Sequence, residues 1–251
     1  MKIGVFDSGV GGLTVLDSLT KNFKNEYVYV ADFKNCPYGE KTEDYLKNAL
    51  IEMLDYFITI KVDLIVIACG TMSSIALKMD IHEYKGIKVL NVIDAVKYYL
   101  KNAKPDNILL MATLSTIKQE NFKNNLYAIT KNVIDCPCPD FVKIIESGNL
   151  EKNKKLEVVN KYLNTEIKSK LTNNSVIILG CTHYPILKEE VKEVSGLENI
   201  VVPGEAMVKY IKDNFNIEDR ENNLSFSTNK ESKVFNKFVK DYFGYSKVTK
   251  I

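Results

Sequence analysis

The sequence predicts an α/β protein of two pseudosymmetric domains, each a mostly parallel sheet flanked by helices, with the active site in the cleft between them. Three observations lead there. Short β-branched runs alternate with amphipathic helical stretches, the pattern of βαβ units and a parallel sheet. That pattern restarts midway: the segment Ala112-Thr113-Leu114-Ser115-Thr116 after one strand is the positional counterpart of Asp7-Ser8 after the first. Two apolar runs also end alike, residues 63–71 (Asp-Leu-Ile-Val-Ile-Ala-Cys-Gly-Thr) and residues 175–185 (Ser-Val-Ile-Ile-Leu-Gly-Cys-Thr-His-Tyr-Pro). Cys69 and Cys181 thereby fall at the carboxyl ends of strands, where open α/β sheets bind ligands.

Composition narrows the function classes. With 251 residues, 45% of them hydrophobic and 26% charged, the chain is an ordinary globular protein of one large or two medium domains. A net charge of +2 is too small to argue for nucleic acid or a membrane surface. Arg220 is the single arginine, so the bidentate guanidinium clamp on a carboxylate is nearly unavailable, and anions must be held by backbone N–H groups, hydroxyls and amides. No apolar stretch has membrane-spanning length, and Met1 leads into a strand with no signal-peptide pattern; a cytoplasmic protein is expected. Five cysteines, an odd number, do not read as a disulfide framework there. Cys136-Pro-Cys138-Pro lacks zinc-ligand spacing and only His82 and His183 offer imidazoles, so no metal is expected. The bland reading of Cys36, Cys136 and Cys138 is small buried or half-buried filler, and it is preferred for Cys138 at least.

In order, Lys2 to Phe6 is a strand ending at Asp7-Ser8-Gly9-Val10-Gly11-Gly12, a glycine-rich turn before a helix carrying Leu13, Leu16, Leu19 and Phe23. The turn lacks the glycine order of a dinucleotide site and the lysine of a P-loop, although a helix start there can receive a carboxylate. Glu26 to Ala31 is the second strand, followed by a turn set by Pro37 and Gly39 beneath Tyr38. A helix starts at Thr42, with Glu43 and Asp44 in its first turn and Leu46, Leu50, Met53 and Phe57 on its core face. Leu64 to Ala68 and Lys88 to Val92 are strands, and a helix ends at Pro105-Asp106-Asn107. The second half repeats the scheme: strands over Ile108 to Met111, Asn132 to Cys136, Ser175 to Gly180 and Asn199 to Val202, one helix over Leu156 to Leu171, and another from Pro185. A helix through Ala206 to Ile211, a strand at Ser225 to Ser227 and a helix through Phe235 to Phe243 are too few for a third domain. They are expected to return to the first half, giving domains of 1–94 plus 206–251 and 95–205.

The segments Gly4-Val-Phe-Asp-Ser-Gly-Val-Gly-Gly-Leu13, Cys36-Pro-Tyr-Gly39, Ile67-Ala-Cys69, Ala112-Thr-Leu-Ser-Thr-Ile117, Cys136-Pro137 with Glu146, and Leu179-Gly-Cys-Thr-His-Tyr-Pro185 resemble, in order, the motifs of the glutamate racemases within the aspartate/glutamate racemase superfamily. The closing Phe226-Ser-Thr with Phe235 and Phe243 fits the same family. The resemblance implies a cofactor-independent isomerase that interconverts L- and D-glutamate and supplies D-glutamate for peptidoglycan. It implies Cys69 as base for one enantiomer and Cys181 for the other, with Asp7 and His183 as their polar neighbours. Ser8, Tyr38, Gly39, Gly70, Thr71, Thr116, Thr182, Asp7 and His183 match substrate-binding positions. Glutamate is the expected small-molecule partner, and a homodimer the expected assembly.

The chemistry gives an independent reason for two cysteines. Inverting an α-carbon removes a weakly acidic proton from one face and returns one to the other, which two opposed bases accomplish without moving the substrate. One position departs from the family: Gly70 stands where an asparagine is usual, and glycine offers the substrate only backbone. Ser73, Ser74 or a water are the expected substitutes, and Gly70→Asn is expected to raise catalytic efficiency. The departure leaves two alternatives open, a racemase of aspartate or another acidic amino acid, and a weakly active glutamate-binding regulatory homologue.

Overall fold

In the computed structural model, residues 1–38, 41–148, 150–245 and 247–251 are described. The first half runs β1 (Lys2–Asp7), α1 (Leu13–Asn22), β2 (Glu26–Ala31), α2 (Glu43–Thr59), β3 (Leu64–Ile67), α3 (Gly70–Lys78), β4 (Glu83–Tyr84), β5 (Ile87–Asn91) and α4 (Val92–Tyr99). The second runs β6 (Ile108–Ala112), α5 (Leu114–Lys118), α6 (Asn121–Leu126), β7 (Val133–Pro137), α7 (Pro139–Glu146), α8 (Lys152–Tyr162), α9 (Thr165–Lys168), β8 (Val176–Leu179), a 3-10 turn (Tyr184–Leu187), α10 (Lys188–Ser195) and β9 (Ile200–Val201). The chain closes with α11 (Pro203–Asn214), β10 (Asn223–Thr228), α12 (Lys233–Phe243) and β11 (Thr249–Lys250).

Two sheets result. The first has the order β11-β10-β2-β1-β3-β5-β4 and is parallel except for the β4–β5 pair; the second, β7-β6-β8-β9, is parallel throughout. The central order β2-β1-β3-β5 is reproduced by β7-β6-β8-β9, so each sheet reverses its winding once, at β1/β3 and at β6/β8. In open α/β sheets such a reversal opens a crevice at the carboxyl ends of the strands. Asp7 ends β1 and Cys69 follows β3, while Thr113 and Cys181 follow β6 and β8.

The central strands β1, β2 and β3 are largely apolar because both faces of the first sheet are covered there. Ile3 and Val5 of β1 and Leu64 and Val66 of β3 face a core continuous with the second half. Phe6, Ile65 and Ile67, one residue out of phase, face α2 through Leu50, Leu54 and Phe57. Thr42 caps α2 by accepting a hydrogen bond from the Tyr45 N–H, so the helix begins where its acidic first turn indicated.

Three local expectations are corrected. The single helix over Leu156 to Leu171 is two, because Leu163 leaves helical geometry (ψ 51°) and the Asn164 side chain caps α9 by accepting from Ile167 N at 3.0 Å. The helix expected to end at Pro105 stops at Tyr99. The helix from Pro185 begins as a 3-10 turn and becomes α10 only at Lys188. The cuts at 94/95 and 205/206 fall inside α4 and α11, which pack on each other with Tyr98 and Tyr210 edge-to-face at 5.1 Å. Among the described residues no helix is long and apolar enough to cross a membrane.

Candidate active site

Both strand-end cysteines line one cavity of about 350 Å³ between the two sheets. Cys69 comes from the first half as the N-cap residue of α3, Cys181 from the second just after β8, and both are buried. Among the described residues, hydrogen bonds near this cavity and between α4 and α6 tie the halves together. The Thr182 hydroxyl donates to Asp7 Oδ2 at 2.9 Å, the Thr14 hydroxyl to Thr182 O at 2.9 Å, Asn121 Nδ2 to Ser74 O at 3.0 Å, and Lys97 Nζ to Asn125 Oδ1 at 3.3 Å. Gly11 makes the approach possible, since a Cβ there would collide with His183 Nδ1 and Thr182 Oγ1.

Each thiol has a different polar neighbourhood. Burial pushes the Cys69 thiol well above its ordinary range, and the nearby Asp7 charge adds to this, while the Met72 and Thr71 N–H groups at the start of α3 oppose it. Burial likewise raises the Asp7 carboxyl, against the pull of His183 and the hydrogen bonds from Thr182 and Gly9. On the other side, His183 Nδ1 lies 3.7 Å from Cys181 Sγ and its Nε2 is 2.7 Å from Glu146 Oε1, a carboxylate–imidazole–thiol chain. Burial alone would lower the His183 pKa; the hydrogen bonds to Cys181 and Glu146 outweigh it and hold the ring well above the usual imidazole value.

The structure brings Ser8, Tyr38, Cys69, Gly70, Thr71, Thr116, Cys181, Thr182 and His183 to the cavity wall, with the buried Asp7 behind Thr182; Gly39 lies outside the described residues. Tyr38 contributes its ring and backbone, because its hydroxyl donates to Asp32 Oδ2 at 2.6 Å. Thr116 is fixed by the Thr113 hydroxyl, 3.0 Å away, which also accepts from Thr116 N at the start of α5. Cys36 is a wall residue and not filler, with burial raising its thiol to about 11. Cys136 and Cys138 are buried filler, their sulfurs 3.7 Å apart.

Gly70 marks a close approach of the two halves. A Cβ at this position would sit 2.8 Å from the backbone oxygen of Gly180, so a larger residue there requires the backbone of one half to shift from the other. Ser73 and Ser74 do not replace the asparagine usual in the family: neither lines the cavity, and Ser73 bridges Ile67 O and Val92 N at 3.3 Å each. Sequence reasoning singled out Glu146 only as part of a motif and did not place it with His183. Ser115 likewise appeared only within a motif, and Val142 and Lys143 on the wall were missed; the one signal for those two is that they follow β7, the counterpart of β2, whose following loop carries Tyr38.

Fold and site together define a class, the two-domain α/β enzymes whose cavity is shared by two strand-end cysteines. The chain belongs to the Asp/Glu/Hydantoin racemase family, whose model matches residues 14–211, and is an isomerase. It is 39% identical over 210 residues to a glutamate racemase of Clostridium perfringens, covering 80% of this chain and 78% of the relative. The crystal structure of glutamate racemase from Campylobacter jejuni matches with a TM-score of 0.83 at 30% identity, covering 98% of this chain and 100% of that one. That of Francisella tularensis glutamate racemase, in complex with D-glutamate, matches with a TM-score of 0.85 at 26% identity, covering 100% and 96%.

Proposed function

We propose that this protein interconverts L- and D-glutamate without a cofactor, using Cys69 and Cys181 as the two acid/base groups. The observation that carries the reading is that the two buried thiols, from equivalent positions of two similar sheets, line the same small cavity. In one direction the Cys69 thiolate takes the α-proton and the Cys181 thiol protonates the opposite face; in the other the roles exchange. Each turnover leaves one thiol a proton richer and the other a proton poorer. Asp7 beside Cys69 and the Glu146–His183 pair beside Cys181 are suited to restoring the starting state. Thr71, Thr116, Thr182, Ser8 and a backbone donor at Gly70 bind the ammonium and carboxylates. We place the reaction in the cytoplasm as a source of D-glutamate for peptidoglycan, and the active form as a homodimer of two discontinuous-domain protomers.

Incubating each enantiomer in D2O with wild type, Cys69→Ser and Cys181→Ser tests the reading. Both variants are expected to lose inversion by about 10²- to 10⁴-fold, the usual worth of a positioned acid/base group, while each retains α-exchange from one enantiomer only. Inversion at the wild-type rate in either variant overturns the two-thiol mechanism.

A further inference from the structure

We infer that Cys136 and Cys138 form a peroxide-responsive dithiol: a hydroperoxide oxidises the pair to a disulfide, and closing that bond loosens Glu146 from His183. The effect on turnover rests on the racemase reading of the cavity; the oxidation itself does not. Burial suits either thiol as packing, but packing does not require two sulfurs to meet. Here they are 3.7 Å apart, within hydrogen-bond range of each other, and the chemistry proposed above uses neither. Cys136 lies in β7 and Cys138 directly follows that strand, two positions on, so both side chains leave the same face.

The two thiols are inequivalent. A hydrogen bond from Cys138 holds the Cys136 thiol below its ordinary value against the effect of burial, whereas burial drives Cys138 far above it. Cys136 also keeps 4% exposure against none for Cys138, on the outermost strand of the second sheet. Cys136 therefore reacts first. Its thiolate attacks one peroxide oxygen: an S–O bond forms, the O–O bond breaks, and the other oxygen leaves as alkoxide, or as hydroxide from hydrogen peroxide, and takes up a proton. The Cys138 sulfur then attacks the Cys136 sulfur. The S–S bond forms, the S–O bond breaks, and hydroxide departs with the Cys138 proton as water. The pair has given two electrons to the peroxide, and a reducing dithiol returns them.

Closing the bond draws the sulfurs to about 2 Å. Cys138 is the N-cap residue of α7, and its carbonyl accepts from the Tyr184 hydroxyl at 2.7 Å. Tyr184 follows His183 in the chain, and Glu146, the last residue of α7, holds His183 Nε2 at 2.7 Å. Phe141 of α7 packs edge-on against Tyr184 at 4.9 Å. A shift at the first turn of α7 is thereby delivered to both members of the Glu146–His183 pair.

The test is treatment of the full-length protein with hydrogen peroxide and then dithiothreitol, for wild type, Cys136→Ser and Cys136→Ala. Trypsin cutting after Lys131 and Lys143 releases one peptide that holds both cysteines and no other. In wild type that peptide is expected to resist alkylation after peroxide, to weigh two hydrogens less, and to revert with dithiothreitol. The His183 titration, followed by imidazole NMR, is expected to move down in oxidised wild type and to stay in the variants. Untreated variants are expected to racemise glutamate as wild type does. After peroxide, wild type is expected to lose about tenfold more activity than the variants, since small misplacements of reacting groups are costly, and dithiothreitol to restore that part. A peptide that stays open to alkylation, a disulfide that leaves the His183 midpoint in place, or an equal loss of turnover in wild type and variants overturns the inference. Failure of untreated wild type to racemise glutamate overturns the racemase reading alone, because the peptide and NMR readouts still judge the dithiol.

Discussion

His183 shows at the scale of one residue why neighbours outweigh type. A buried imidazole by itself is driven neutral, yet contact with Cys181 and Glu146 reverses the direction. Because the folded-state pKa is raised above 6.5, the pairing stabilises the fold fully below that value, and the contribution disappears as pH rises through the higher folded value. Glu146→Gln removes a carboxylate that favours the protonated ring, so the His183 titration is expected to move down and the pH-dependent stability with it. With only His82 and His183 in the chain, imidazole proton NMR resolves this directly. A His183 midpoint below 6.5 in wild type, or none of this movement in the variant, would refute the relay. Across the cavity, the Asp7 and Cys69 charges disfavour each other, so that side readily holds one negative charge at a time.

Among the elements, α3 and the segment after β8 matter most, because their first residues set the width of the cleft. Cys69 caps α3, Gly70 opens it, and Gly180 immediately precedes Cys181, so the Gly70–Gly180 contact lies between the thiols' own backbone neighbours. Gly70→Asn and Gly70→Ala are expected to lower kcat/KM about tenfold by forcing apart backbone atoms that oppose the two sulfurs, since small misplacements of reacting groups are costly. The better helix propensity of alanine, about 1 kcal/mol, should leave the melting temperature little changed. A higher kcat/KM for the asparagine variant would support the sequence-based expectation and dismiss the pinch.

For the whole molecule, the decisive feature is the return of the C-terminal segment to the first sheet. β10 pairs with β2 along its length, Phe226 lies 5.3 Å from Phe243, and Phe235 stacks on Tyr29 at 5.8 Å, whose hydroxyl donates to Gly9 O in the loop behind the cavity. Residues 1–221 alone would expose the β2 edge and lose the fully buried Phe235, a side chain whose removal alone costs about 3–5 kcal/mol. That truncated chain is expected to be insoluble or inactive. A soluble, monodisperse and active 1–221 fragment would contradict the account.

The alternation of strands and helices was readable because the central strands are buried on both faces and helices such as α1 and α2 on one, and burial leaves its period in the order of residues. The two strand-end cysteines were readable because an apolar run that stops at a thiol, a hydroxyl and an imidazole is a local pattern. The break at Asn164 was not, since the apolar spacing of Leu163, Ile167 and Leu171 continues across it while a side-chain cap interrupts the backbone ladder. By itself the sequence determined the two similar halves and the thiol that each contributes. Only the tertiary structure decided that Glu146 reaches His183, that Lys143 rims the same cavity and that Gly70 faces Gly180. Periodicity records which side of an element is buried, but not which loop of one half is pressed against the other.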